Sequence, residues 1–439
     1  MNSEEPGPPT ELRIGQTVDA TIEKSVYRGR GLARVGGRVV FVPRAHTGDR
    51  VRGRVREVHA GWAEASLQDV LSPAPERRPS PCPYVPRCGG CVYQDLDYAA
   101  QLRAKEDILR ESLARAGAPW EGPIAVRASP ERGWRLRASL HFARGDAGLR
   151  LGLRPEGTRR VLDIEACLQL SDNMNRTVRK IHAALARRPK TWPRLRGLDV
   201  LESPDGELSV ATLATALAPH EAPDLAFVGR EAAGLSGLGV ETGRGRLHWL
   251  AGSPHIEATV LSLALRVHVQ SFFQANRFLY EPLAQAVLEL LPGAGRALDL
   301  YAGVGLFTLP LAARDDCEVV AVERAPSAAD DARANARRHR LSGIRVVRRD
   351  VGDALAATRA EPGERVVIDP PRTGLERDVV ELVASRRPEA VVYVSCDPPT
   401  LGRDLARFAA HGLRADSVQV FDLFPDTFHL ETVVRLLPS

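Results

Sequence analysis

Val392-Tyr-Val-Ser-Cys396-Asp-Pro-Pro-Thr-Leu places a cysteine at the carboxyl end of an apolar run, ahead of a Pro-Pro loop. In open α/β sheets that rim is where ligands bind. The thiol therefore reads as a nucleophile, although residue statistics alone favour a buried, inert cysteine. A thiolate that adds to carbon 6 of uracil turns the ring into an enolate, whose carbon 5 can attack an electrophilic methyl group. A base must then remove the carbon 5 hydrogen, and Thr427-Phe-His429-Leu-Glu431-Thr offers both Glu431 and His429. Asp369-Pro-Pro-Arg372 has arginine where enzymes that methylate exocyclic amines carry an aromatic residue, which argues against amine chemistry.

Asp299-Leu-Tyr-Ala-Gly303-Val-Gly305 stands between an apolar strand and a helix, where glycine lets backbone approach a ligand. A dinucleotide fingerprint needs a third glycine at position 308, which is Thr308. The Asp-x-x-x-Gly-x-Gly form instead resembles the first motif of class I S-adenosylmethionine-dependent methyltransferases. Glu323 ends the next strand, placed for ribose hydroxyls, and Asp350 follows the third, placed for the adenine edge. Any one such acid is more often a helix cap; three in register favour a cofactor.

These segments, with Ser271-Phe-Phe-Gln274-Ala-Asn276, resemble the RNA uracil-C5 (5-methyluridine) methyltransferase family over nearly the whole chain. Its larger members carry an N-terminal TRAM domain and an iron-sulfur cluster. The resemblance implies Cys396 as nucleophile and Glu431 as base, with Gln274, Tyr301, Glu323 and Asp369 touching cofactor or target uracil and Asp350 joining them. It implies S-adenosyl-L-methionine as cofactor and structured RNA as substrate: 23S rRNA first, a tRNA T-loop uridine second. A catalytically inactive RNA-binding or RNA-folding protein is the reading from another class. The chain departs from its relatives at Trp134-Arg-Leu-Arg137, Leu306 and Gly402.

Cys82-x5-Cys88-x2-Cys91, with Cys167 far downstream, supplies four thiolates for zinc or a 4Fe-4S cluster. Three plus one leans towards the cluster, and Cys88-Gly-Gly-Cys91 matches the family's cluster pattern. A zinc-dependent nucleic-acid enzyme is the competing reading. Cys317 is left over as a core residue.

The elements that must position these groups are legible as texture. Leu12 to Leu71 alternates apolar and polar residues between Gly-rich breaks, predicting a small OB-like β-barrel; by the resemblance it is the TRAM domain, residues 12–71. A proline-rich linker opens a central β-rich domain with the cysteines, residues 72–270. Residues 271–439 alternate strands (297–301, 318–322, 344–348, 366–369, 391–395) with helices such as 325–339 and 400–411. That pattern predicts an α/β, doubly wound, Rossmann-like domain, closed by an antiparallel hairpin (418–423, 431–437) on the sheet edge.

Length and composition fit two to four folded domains at roughly 150 residues each: 439 residues, 44% hydrophobic and 26% charged. Net charge is +5, with 56 arginines and 4 lysines, an excess read mainly as coding bias. From Leu12 to Arg56, eleven basic residues face three acidic ones, a net +8 that exceeds the whole chain's charge. With Tyr27 and Phe41 available for stacking, this stretch suits an RNA contact. No run reaches the roughly 18 apolar residues of a membrane span. Six cysteines are too few for a disulfide scaffold, and Met1–Thr10 has no apolar export region. A cytoplasmic monomer is expected.

Overall fold

Every second residue of Arg50–Val58 turns inward, burying Val51 and Val55 while Arg50, Arg52, Arg54 and Arg56 face outward. The computed structural model describes residues 11–146, 148–155, 157–243, 245–291, 293, 295–314 and 317–439. Met1–Thr10, the segment expected to lack an export region, lies outside the described residues. Two compact bodies form: one is the described chain up to Glu111 with Phe424–His429, the other Ser112–Leu423 with Leu430–Ser439.

In the first body β1 (Thr17–Thr21), β2 (Lys24–Val26), β3 (Arg30–Val35), β4 (Arg38–Pro43), β5 (Arg50–Val58) and β6 (Trp62–Ser72) form one sheet in the order β1-β5-β6-β4-β3-β2. Its inward residues, among them Ile22, Ala33, Val40, Val51, Val55 and Ala63, make a single core. A sheet that buries one face against itself is a small barrel. Helix α1 (Tyr98–Arg115) begins in this body. Asp426 is fixed there by Gln94 Nε2 (3.1 Å) and Gln101 Nε2 (3.0 Å).

The second body opens with β7 (Ala125–Arg127) and continues with β8 (Arg137–Gly145), β9 (Gly148–Leu153), β10 (Leu162–Asp163), α2 (Asp172–Ala186), β11 (Leu195–Glu202), β12 (Ser209–Thr215), α3 (Phe227–Glu231), β13 (Gly237–Thr242) and β14 (Arg246–Gly252). The sheet order is β10-β9-β8-β11-β12-β13-β14. Helix α2 is capped by Ser171 Oγ, which accepts from Met174 N at 2.9 Å, and it buries Met174, Ile181 and Leu185 in that sheet's core. A hairpin, β15 (His255–Val260) and β16 (Leu263–His268), leads to α4 (Tyr280–Leu290).

The doubly wound part then runs β17 (Ala297–Leu300), α5 (Thr308–Arg314), β18 (Val319–Val322), α6 (Pro326–Arg338), β19 (Ile344–Val347), α7 (Val351–Ala357), β20 (Arg365–Ile368), α8 (Arg377–Ser385), β21 (Ala390–Ser395), α9 (Pro398–Ala410), β22 (Leu413–Phe421) and β23 (Glu431–Pro438). Strands β17 to β21 are parallel; β17, β18, β20 and β21 are buried on both faces, as their apolar runs require, and β19 at the edge is only partly covered. The full order is β19-β18-β17-β20-β21-β23-β22-β7.

One expectation is corrected here. The final hairpin is antiparallel, but it is not at the edge: β23 slots between β21 and β22, and β7 pairs in parallel with β22 to take the outer position. A three-residue strand some 290 positions upstream leaves no local pattern to betray it. The glycine at 402 also has a physical reason: a Cβ there would lie 2.8 Å from Ala116 Cβ and 3.0 Å from Ser112 O.

Candidate active site

The glycine loop is held from below by Asp299, which is fully buried at the centre of β17 and accepts from Thr308 Oγ1. Its other oxygen has no hydrogen-bond donor among the described residues. Burial pushes this carboxyl up to about 7. Tyr301 (φ 65°), Gly303 (φ 56°) and Gly305 (φ 96°) turn the chain over the strand end. Glu323 at the end of β18 closes the loop: Oε2 accepts from Gly303 N at 2.9 Å and Oε1 from Ala325 N at 2.6 Å. Each carboxylate oxygen still has a lone pair to offer.

Sequence reasoning missed the brace behind this loop. Asn335 on α6, fully buried, donates from Nδ2 to Val304 O (3.0 Å) and Arg266 O (3.1 Å), and its Oδ1 accepts from Arg266 N at 2.9 Å. One turn earlier, Asp331 accepts from His268 N (2.8 Å), Ser271 Oγ (2.7 Å) and Arg266 Nε (3.1 Å). The pair fastens the glycine loop and the chain entering Ser271–Gln274 to one helix face. The Asn335 and Asp331 spacing of four is visible in sequence, but an Ala- and Arg-rich helix gives no reason to notice it.

Trp134-Arg-Leu-Arg137 completes the frame. Arg137 donates to Val269 O (2.6 Å) and Ser271 O (2.8 Å), while Leu136 N and Arg277 N bond Ala275 O and Trp134 O. Phe272 stays 67% exposed between buried Ser271 and Phe273, its carbonyl beside Gly303. Gln274 is buried and donates from Nε2 to Asp369 Oδ2 at 3.3 Å.

Cys396 follows β21, and Glu431 opens β23. The last antiparallel pair is Ser395↔Thr432, so thiol and carboxyl come next in register on neighbouring strands. Cys396 is partly exposed, whereas Glu431 is buried. Burial, then Glu431 and Asp369, push the thiol up to about 12, against the pull of Arg372. Burial and Asp369 hold Glu431 well above the carboxylate range, again opposed by Arg372. Asp369 rises to about 7 through burial and Asp299. The resting site is thus crowded with acids and short of cations. It suits a positively charged ligand beside the thiol.

Over this arrangement, residues 256–438 match the family model "tRNA (Uracil-5-)-methyltransferase", and residues 11–67 match the TRAM domain. The "23S rRNA (uracil(1939)-C(5))-methyltransferase RlmD" of Pseudomonas putida is 35% identical, aligned over 96% of this chain and 94% of the relative. The chain belongs to the RNA uracil-C5 methyltransferase family. An "Uncharacterized RNA methyltransferase" of Aquifex aeolicus is 32% identical over 95% of this chain and 97% of its own. The fold is that of the Pyrococcus abyssi tRNA (uracil-54, C5)-methyltransferase complexed with S-adenosyl-L-homocysteine, with TM-score 0.77, 24% identity, and coverage of 96% of this chain and 100% of that one.

Membership makes the chain an RNA methyltransferase that uses S-adenosylmethionine, and the loop fits that group: a buried acid beneath it with one oxygen lacking a donor among the described residues, glycines at positive φ, and Glu323 at the rim. Asp350 does cap α7, accepting from Gly352 N at 3.1 Å, and lies 3.7 Å from Arg324. His429 is in the first body, its ring against Phe424 and Phe428.

In that body Phe41 sits between the Arg30 guanidinium (4.7 Å) and Trp62 (5.6 Å), which stacks on His59 at 3.9 Å; Tyr27 instead packs edge-on against Phe428. The +8 divides. Arg52 pairs with Asp19, Arg34 with Glu23, and Arg44 braces the cysteine loop through Cys88 O at 2.6 Å. Arg28, Arg50 and Arg54 are exposed without a carboxylate partner among the described residues. N–H donors point at sulfur in the same loop: Gly90 N to Cys88 Sγ (3.4 Å) and Gln94 Nε2 to Cys91 Sγ (3.8 Å), a donor chemistry that fits metal thiolates. Among the described residues, no three His, Cys, Asp or Glu side chains are gathered closely enough to hold a metal. Cys167 is in the second body, and Cys317 is buried beneath Arg365, as expected of a core residue. No helix is long and apolar enough to cross a membrane among the described residues.

Proposed function

We propose that this enzyme forms 5-methyluridine in 23S rRNA. Two features support rRNA over a tRNA T-loop uridine: the near-full-length alignment, at 35% identity, with the Pseudomonas putida protein, and the cysteine spacing of Cys82, Cys88 and Cys91. The observation that carries the chemistry is the register of Cys396 beside Glu431 at the sheet rim.

Bound S-adenosylmethionine supplies an electrophilic methyl group and a positive charge among Asp299, Asp369 and Glu431. The Cys396 thiolate adds to carbon 6 of a flipped uracil. Carbon 5 then takes the methyl, and Glu431 accepts its hydrogen as a proton while the electrons expel the thiolate from carbon 6. Gln274 and Asp369, joined by a hydrogen bond, are placed for the uracil edge, and exposed Phe272 for its face. Tyr301 and Glu323 take the cofactor, with Asp350 at its adenine end. Residues 12–71, 72–270 and 271–439 act as RNA-binding, cluster-bearing and catalytic domains. Cys82, Cys88, Cys91 and Cys167 would hold a 4Fe-4S cluster that orders the loop and meets RNA. The protein works as a cytoplasmic monomer.

RNA containing 5-fluorouridine tests this, because fluorine cannot leave as a proton and the adduct persists. The expected result is a covalent complex with wild type and none with Cys396→Ala. A wild-type enzyme that traps no RNA overturns the mechanism, and one that traps only a T-loop hairpin moves the substrate to tRNA.

A further inference from the structure

Helix α6 has a second face that the methyl-transfer chemistry does not use. Asp331 and Asn335 point into the protein; Arg333, Arg337 and, just past the helix, Arg340 follow at spacings of four and three, on one side of the helix. Arg340 takes φ 56°, turning the chain towards β19, the edge strand of the sheet. The three arginines, with Ala336, Leu341 and Ile344 among the walls, line an open cleft of about 540 Å³.

The surrounding segment, residues 324–349, contains eight arginines and only Asp330 and Asp331 as acids, a net +6. Of these acids only Asp330 meets a cleft arginine, Arg333, which leaves the charges of Arg337 and Arg340 unanswered by either. Asp331 is buried among His268, Ser271 and Arg266, and Asp330 pairs with Arg333 at 3.0 Å. Arg337, Arg340, Arg345, Arg348 and Arg349 have no carboxylate partner among the described residues. The helix dipole rewards cations in the last turn; that accounts for Arg337 and Arg338 but not for Arg340, Arg345, Arg348 or Arg349, which lie beyond it. Coding bias explains many arginines, not their alignment on one face without acids.

The guanidinium groups are strung along an open surface rather than converging on a point, which suits a chain of phosphates better than one small anion. The cleft is at the carboxyl end of α6, whereas Glu323 precedes its amino end, and the helix between them is about 20 Å long at 1.5 Å per residue. We propose that this cleft docks the phosphate backbone of substrate RNA several nucleotides from the target uridine. The proposal rests on the RNA-methylation reading above.

The test compares wild type, Arg337→Glu/Arg340→Glu and Arg337→Lys/Arg340→Lys. Binding is measured by anisotropy over a salt series, with an unmodified large-subunit rRNA transcript and with a short uridine hairpin. Charge reversal should weaken transcript binding at least tenfold at about 0.1 M salt and flatten the salt slope by about two. KM for the transcript should rise with kcat unchanged, hairpin binding should stay within twofold, and the lysine variant should stay near wild type. An unchanged slope and KM overturn the proposal, as does equal weakening on the hairpin. Calorimetric binding of S-adenosylhomocysteine reports folding; if charge reversal abolishes it, Arg337→Gln and Arg340→Gln carry the same test. A wild type that forms no fluorouridine adduct sinks the methylation reading instead, while the transcript's salt slope still reads the cleft.

Discussion

Cys396 and Glu431 occupy neighbouring antiparallel strands one step beyond the Ser395↔Thr432 pair. Side chains opposite each other at such positions have Cβ atoms about 5 Å apart, which on the proposed mechanism lets nucleophile and base address the two adjacent carbons of one pyrimidine bond. The first consequence concerns release. In Glu431→Gln, methyl transfer should proceed once while turnover falls at least about a hundredfold, and a methylated RNA–protein adduct should accumulate on denaturing gels. Full turnover in that variant would move the base to His429.

The second concerns pH. Burial and acidic neighbours push the Cys396 thiol up to about 12, and Arg372 opposes them. The reactive thiolate therefore gains population as pH rises. Single-turnover adduct formation should climb roughly tenfold per pH unit between about 6 and 9. Arg372→Gln removes the opposing cation, so it should slow the adduct by about an order of magnitude at neutral pH. A flat profile in the wild type would show that substrate and cofactor binding reset the thiol.

Asp299 ties stability to pH. Its folded-state carboxyl sits at about 7 against an ordinary 3.8, because burial disfavours the charge. The folded protein holds a proton that the unfolded chain releases, so stability drains away as pH climbs from about 4 to 7 and stays low above. Asp299→Asn should stabilise the cofactor-free protein at pH 8 by roughly 1–3 kcal/mol and much less at pH 5, while weakening S-adenosylhomocysteine binding. Unfolding at the two pH values checks it; equal gains at both would rule out the titration.

Asn335 should behave as a positioning residue. Replacement by leucine strands the Val304 carbonyl and the Arg266 backbone without partners, at a cost of about 2–4 kcal/mol. Its signature beyond lost stability is a split: KM for S-adenosylmethionine up tenfold or more, kcat at saturation within about threefold. Equal loss in both parameters would leave only a packing role.

How much of this was written in the sequence varies by residue. The glycine loop, Glu323 and Cys396 were legible because each ends a strand whose Val-rich run marks its burial, and strand ends of a parallel sheet share one rim. The spacing of Asn335 and Asp331 was printed there too, but their partners lie 31 to 69 residues away. A buried amide and an exposed one look alike until the fold decides. Asp350 shows the opposite hazard: an acid at the right strand end is also a helix cap, and both uses leave the same letter. The barrel's arginines looked like one electrostatic block, yet Arg44 and Arg52 are spent on internal partners.

Because β23 is wedged between β21 and β22, the last strand of the chain completes both the sheet and the proposed site. A chain ended between β22 and β23 would, on the proposed mechanism, keep the Cys396 thiol that adds to RNA but lack the Glu431 base that releases it, and it would leave the edge of β21 unpaired. On that mechanism, release of RNA is reserved for chains that have completed the sheet.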